Sequence, residues 1–250
     1  MARSGLLASE TRARYNRHSG QKARKEFSMK TMNMAARLAA GAALAAVLAG
    51  APLTVQAADP AAQLREAVTA YNIGKYKKTL ELAHPLAQNG DTQAQVLIGR
   101  CYENGLGVPQ DFETAAKWYQ LAAENGNAEA QMLIAYACEA GVGVPRDPQA
   151  AVRWIELAAN NGNPEAEFAL SQRYIKGDVL PKDHKLSFQW ALKAAKQGNP
   201  QAQRYVAACY EFGVGVAEDA AAADKWYAKA AAQGLERDGN IFTRTLKERQ

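Results

Sequence analysis

Beyond residue 57, the cysteine, serine and histidine side chains that most often act as nucleophile, base or soft metal ligand are few: Cys101, Cys138, Cys209, Ser171, Ser187, His84 and His184. Acyl transfer by serine needs a strained elbow or a nearby lysine, and zinc needs closely spaced His and Cys. Neither serine lies in a Gly-x-Ser-x-Gly or Ser-x-x-Lys setting, and the one Ser-x-x-Lys, Ser19 to Lys22, falls near the N-terminus. The two histidines are isolated: His84 precedes Pro85 and His184 follows Asp183, so both read as loop or helix-end residues. No catalytic residue, metal site or cofactor is expected from this set. What is left is recognition chemistry, carried by aromatic, arginine and glutamate side chains whose placement depends on the elements beneath them.

Those elements repeat. Gly126, Gly162, Gly198 and Gly234 fall 36 residues apart, as do Trp118, Trp154, Trp190, Trp226 and Asp111, Asp147, Asp183, Asp219. Self-similarity at such a period means supersecondary units that bury their apolar faces by stacking. In the first full unit Ala94, Ile98, Gly99 and Tyr102 recur at helical spacing, with Gly99 small enough for a neighbouring helix to approach. Gly105-Leu106-Gly107-Val108-Pro109 ends that helix. Asp111 caps a second helix, whose buried face is predicted from Ala115, Trp118, Ala122 and Ala123, with the indole as the large core residue among alanines. Asn125-Gly126-Asn127 closes the unit.

The pattern Ala…Leu-Gly-x-x-Tyr-x-x-Gly-x-Gly-Val-Pro-x-Asp…Ala-x-x-Trp-Tyr-x-x-Ala-Ala-x-x-Gly resembles the Sel1-like repeat, a relative of the tetratricopeptide repeat, over roughly Ala94 to Leu235. The resemblance implies an all-α fold, an α-solenoid of stacked antiparallel helix pairs, with units at 94–129, 130–165, 166–201 and 202–237. Residues 58–93 read as a diverged tetratricopeptide-like unit, with a tight turn at Tyr71 to Tyr76, and 238–250 as a capping helix. Two units depart from the pattern. In the third, Val179 and Leu180 replace loop Gly and Val, and Ala191 stands where others carry Tyr119, Ile155 and Tyr227; in the second, Cys138 replaces the tyrosine of Tyr102, Tyr174 and Tyr210.

The net charge of +5 misleads about partners. Residues 1–57 hold nine of the thirty Lys and Arg and two of the twenty-five acids, so 58–250 carries 21 basic against 23 acidic residues. A nearly neutral array with no basic stripe excludes nucleic acid as its expected partner. From Met29 the chain reads as a basic segment, an apolar Ala/Leu run and Val55-Gln56-Ala57, the layout of a secretory signal peptide over 29–57 cleaved near Ala57. The rival is an uncleaved anchor, since Leu38 to Ala58 is uncharged for 21 residues. Residues 1–28 read as a non-native or disordered extension, with Met29 rather than Met1 as a candidate start. A periplasmic or secreted chain is expected.

In an oxidising compartment the cysteines matter. Cys101 and Cys209 hold the same repeat position three units apart, on the order of 30 Å at ~10 Å per layer, too far for a disulfide. Cys101 and Cys138 lie on adjacent first helices, where a bridge and three separate buried thiols both stay open. Cys101 or Cys209, if exposed, could link two chains.

The resemblance also implies that the first helix of each unit lines a concave face. On that geometry the inward rows are Val96, Met132, Phe168, Arg204; Arg100, Tyr136, Gln172, Ala208; and Glu103, Glu139, Ile175, Glu211. Met132, Tyr136, Phe168 and Gln172 would form the centre, with Arg100, Arg204, Glu103, Glu139 and Glu211 as a charged rim suited to a protein or peptide partner. The expected role is an exported protein-binding adaptor. Two alternatives are an immunity or inhibitor protein acting on a secreted toxin or enzyme, and a β-lactamase-like or cell-wall hydrolase, an activity associated with some proteins of this kind.

Overall fold

A computed structural model describes residues 59–237; among these there are ten α-helices and no strand. Helices α1 (Pro60–Asn72) and α2 (Tyr76–Gln88) form a leading pair joined by the tight turn at Ile73 to Lys75. Four units follow: α3 (Thr92–Asn104) with α4 (Phe112–Glu124), α5 (Ala128–Ala140) with α6 (Pro148–Asn160), α7 (Pro164–Lys176) with α8 (His184–Lys196), and α9 (Pro200–Phe212) with α10 (Ala220–Ala231). Each helix packs mainly on its neighbours in sequence, so the described chain is an all-α solenoid. The expected leader (1–57) and closing helix (238–250) lie outside the described residues. No described helix is long and apolar enough to cross a membrane.

Caps set the frame. Asp111, Asp147, Asp183 and Asp219 accept the amide protons of Thr114, Ala150, Leu186 and Ala222 and start the second helices. Asp91, Asn127, Asn163 and Asn199 do the same for Ala94, Ala130, Ala166 and Ala202, so each first helix begins two residues before the unit start read from sequence. Asn127 also donates from Nδ2 to Thr92 Oγ1 at 3.2 Å, tying the second unit to the first.

The loop glycines are packing devices as well as helix stops. A Cβ on Gly143 would lie 2.0 Å from the Phe112 carbonyl oxygen, and one on Gly215 2.1 Å from that of His184, so each loop lies against the start of the previous unit's second helix. In the third unit Val179 cannot take the left-handed φ of Gly107, Gly143 and Gly215, and the loop follows another course with Lys176 Nζ held by Asp178 at 2.8 Å.

The core differs from expectation at the tryptophans. Tyr119 is 3% exposed, together with buried Ala115, Ala116, Ala122 and Ala123, whereas Trp118 is only partly buried. The inward stripe of the second helix is centred one residue later than the indole. Trp190 and Trp226 instead carry Lys193 and Lys229 over their ring faces, at 3.6 and 4.2 Å from the centroids. Gly99 makes room for the real core residue: a Cβ there would meet the Tyr119 ring at 2.5 Å. In the third unit Ala191 leaves that volume free, and Tyr205 from the next unit is fully buried in the same cluster, sharing a hydrogen bond with Ser187 Oγ at 2.7 Å.

A buried polar row stitches the units together. Gln95, Gln131 and Gln203 donate from Nε2 to the carbonyls of Ala87, Ala123 and Ala195 at 3.0, 3.1 and 3.2 Å. The third unit has Glu167 there, 4% exposed, accepting from Gln197 Nε2 at 2.8 Å. Burial pushes its carboxyl above the ordinary range, with Gln197 and Lys193 opposing.

Candidate protein-binding cleft

Between the first and second units the stack leaves a cleft of about 240 Å³. Asp111 starts α4 so that Phe112, its first residue, stands 41% exposed at one rim. Tyr136, on the outer side of α5, is 52% exposed at the opposite rim, and Val142, held in the loop by Gly143, is 42% exposed at the end. Ala115, Ala116, Ala137 and Ala140 give the cleft an alanine lining, with Leu133 beside them. The one acidic group is Glu103, whose Oε2 accepts from Tyr119 Oη at 2.9 Å. Burial and that carboxylate raise the Tyr119 hydroxyl well above the usual phenol range, so it stays a donor.

Tyr136 and Glu103 are thus the two expected site residues that line this cleft. Met132 is not a surface residue: at 5% exposure it packs with Ile155 and Leu170 inside the stack. Val96, Ala208 and Ile175, from the same rows, are buried too, because those rows face the adjoining layer as well as the open side. Phe168 is partly buried, edge-on to Tyr205 with ring centroids 6.0 Å apart. Gln172 is exposed and Arg204 partly exposed, both outside the cleft. The expected charged rim is mostly self-paired: Arg100 with Glu129, Glu139 with Arg173, and Glu211 with Arg237 and the Tyr227 hydroxyl.

Sequence reasoning missed Phe112, Val142, Leu133 and the alanine lining. A signal existed for Phe112, an aromatic at a position held elsewhere by Pro148, His184 and Ala220.

A second hollow of about 460 Å³ lies on α10 around Trp226, Lys225 and Lys229. It lies on the last described helix, and residues 238–250 lie outside the described residues.

The cysteines and serines are enclosed. All three cysteines are free and buried; burial pushes the Cys101 thiol up to about 11 and Cys209 to about 12, and raises Cys138. Cys101 and Cys138 do not form a bridge, and neither Cys101 nor Cys209 is exposed to link chains. Ser187 Oγ donates to the Ser171 carbonyl at 2.8 Å and both serines are fully buried, with no imidazole or carboxylate among their hydrogen-bond partners. His84 stacks edge-on to Trp118 at 6.1 Å, and burial and Lys182 lower the basicity of His184. Among the described residues no three His, Cys, Asp or Glu side chains converge as a metal ion would require.

Comparison with known proteins places the repeats. The Sel1 repeat family matches residues 92–127, 128–163, 164–199 and 200–235. Among solved structures, the chain is similar to c5321, a protective antigen present in uropathogenic Escherichia coli strains that displays an SLR fold, with 30% identity and a TM-score of 0.65 over 70% of this chain and 38% of that one. The chain therefore spans well under half the length of c5321. It is similar also to a Sel1 repeat protein from Oxalobacter formigenes, at 29% identity and a TM-score of 0.64, covering 69% of this chain and 70% of that one. The immunity protein Pa5087 from Pseudomonas aeruginosa aligns at 23% identity and a TM-score of 0.47 over 74% and 68% of the two chains, a likeness that carries no functional argument. No curated protein matches the chain.

Proposed function

The chain belongs to the Sel1 repeat family, and from that premise we propose that it is an exported scaffold that binds a protein or peptide partner in the cleft between its first two units. Phe112, Tyr136 and Val142 carry this reading: three large apolar side chains, each about half exposed, converge on one concavity. Exposed apolar groups gathered into one contiguous patch with a polar rim are a mark of interaction sites. The self-paired glutamates and arginines around the cleft supply the polar rim of a protein interface, while the buried, protonated thiols and enclosed serines offer no nucleophile.

Export rests on the leader, with its basic segment, apolar run and small residues at Val55 and Ala57. Periplasmic delivery would leave Ala58 as the first residue.

The test is affinity capture from an envelope fraction with the tagged full chain beside its Phe112→Ala, Tyr136→Ala double variant, the two matched for helicity and melting. The expected result is one partner held by the parent and lost by the variant. A partner retained equally by both, or none with either, would overturn binding at this cleft.

A further inference from the structure

We propose that the cleft between the first and second units is a socket for one aromatic or branched aliphatic side chain of the partner, followed directly by a lysine or arginine that pairs with Glu103. The proposal rests on the scaffold reading and names what the scaffold recognises.

The basis is an internal comparison that the repeat itself provides. The residues lining this cleft have counterparts 36 and 72 residues later, at the next two boundaries between units. At the boundary between the second and third units, the counterpart of Ala137 is Arg173, and its guanidinium pairs with Glu139, the counterpart of Glu103. That arginine side chain is only 15% exposed, so it occupies the cleft rather than hanging over it. At the boundary between the third and fourth units the counterparts of Leu133, Ala140 and Val142 are Tyr205, Phe212 and Val214. Tyr205 and Val214 are buried there with Phe212 packed against them. The chain thus fills one cleft with a cation and another with aromatic and branched bulk.

At the first boundary, where Tyr119 takes the aromatic place that Ala191 leaves to Tyr205, it supplies no cation and nothing equivalent to the Phe212 ring. Ala137 and Ala140 contribute methyl groups, and among the described residues Glu103 has the Tyr119 hydroxyl as its one side-chain hydrogen-bond partner. Arg100, one turn away on α3, is taken by Glu129. What a ligand must bring is what the other boundaries hold in cis: apolar bulk for the alanine lining and a cation for the carboxylate. The volume agrees. About 240 Å³ lies below the range of small-molecule pockets and suits a single large side chain. Phe112 and Tyr136 at the rims present rings for edge-to-face contact with an aromatic occupant, and Tyr136 offers a face to the adjoining cation.

The experiment uses the full chain with isotope-labelled alanine and valine methyls, titrated with three blocked peptides: Ac-Ala-Phe-Arg-Ala-NH2, Ac-Ala-Phe-Glu-Ala-NH2 and Ac-Ala-Gly-Arg-Ala-NH2. The first should move the methyl signals of Ala137, Ala140 and Val142 in a saturable way, at least tenfold more tightly than the other two. Ala137→Arg rebuilds the Arg173–Glu139 pair at this boundary and should lose at least tenfold in affinity with unchanged melting. Ala140→Phe, which copies Phe212, should do the same. Glu103→Gln should keep the dependence on Phe and lose the preference for Arg over Glu. Equal binding of all three peptides, shifts centred elsewhere, no binding, or parent-like affinity in both filled variants would overturn the socket. Concentration-dependent shifts of the same methyls without peptide would also overturn it and assign the cleft to a second copy of the chain. The two readings fail separately: a partner captured equally by parent and Ala137→Arg leaves a scaffold without this socket, and peptide binding without any captured partner leaves the socket without the scaffold.

Discussion

Glu167 shows what one side chain can do to a repeated interface. Where three other positions in the row place an amide that donates to a carbonyl of the preceding helix, this one places a buried carboxylate. An ionised carboxylate only accepts, so its contact with Gln197 is made and the donation to the preceding helix is lost. Its folded-state pKa is raised, chiefly by burial. The sign follows: the protonated group is favoured in the folded chain, so its stabilising contribution is present in acid, below the unfolded value, and is lost as pH rises through the folded one. Glu167→Gln should stabilise the chain by about 1 kcal/mol at pH 7 and by much less at pH 4, read by urea denaturation at the two values. Equal effects at both would remove the buried-charge explanation. None of this was legible in the sequence. Gln95, Gln131 and Gln203 recur in register, yet a glutamine is ordinarily a surface residue, and only the stack shows that it is enclosed.

At the scale of elements, the helix ends were legible and the helix faces less so. Asp111 and its three counterparts cap as their chemistry dictates, and Gly105, Gly141, Gly177 and Gly213 end the first helices at φ between 66° and 72°. The face of the second helix was misjudged because Trp118 and Tyr119 are adjacent and only one of them can point inward. Tyr119 is the enclosed one, while Trp118, Trp154, Trp190 and Trp226 pack partly buried against the core, two of them with a lysine over the ring. The close approach at Gly143 gives a test at this scale. Gly143→Ala combines a left-handed backbone with a clash against the Phe112 carbonyl and should cost about 3 kcal/mol in thermal or chemical unfolding. Gly126→Ala carries only the backbone penalty, since nothing lies within 4 Å of its added Cβ, and should cost about 1 kcal/mol. Equal losses would mean that the loop does not lie against α4.

For the whole molecule, the 36-residue period is enough to give the solenoid, because each unit repeats its caps, stops and alanine stripe in phase. The site was legible only in part. Tyr136 and Glu103 were placed by assuming a concave row, but the same assumption enrolled Met132, which packing between layers buries. The open cleft arises from what three consecutive boundaries do differently, through Ala137 against Arg173 and Ala140 against Phe212, and such differences gain meaning only when the layers are seen stacked. Hydrogen–deuterium exchange on the full chain, alone and with its captured partner, tests that central claim most directly. The account predicts added protection concentrated in residues 112–119 and 133–142. Protection centred instead on α9 and α10, or none in those two segments, would contradict it.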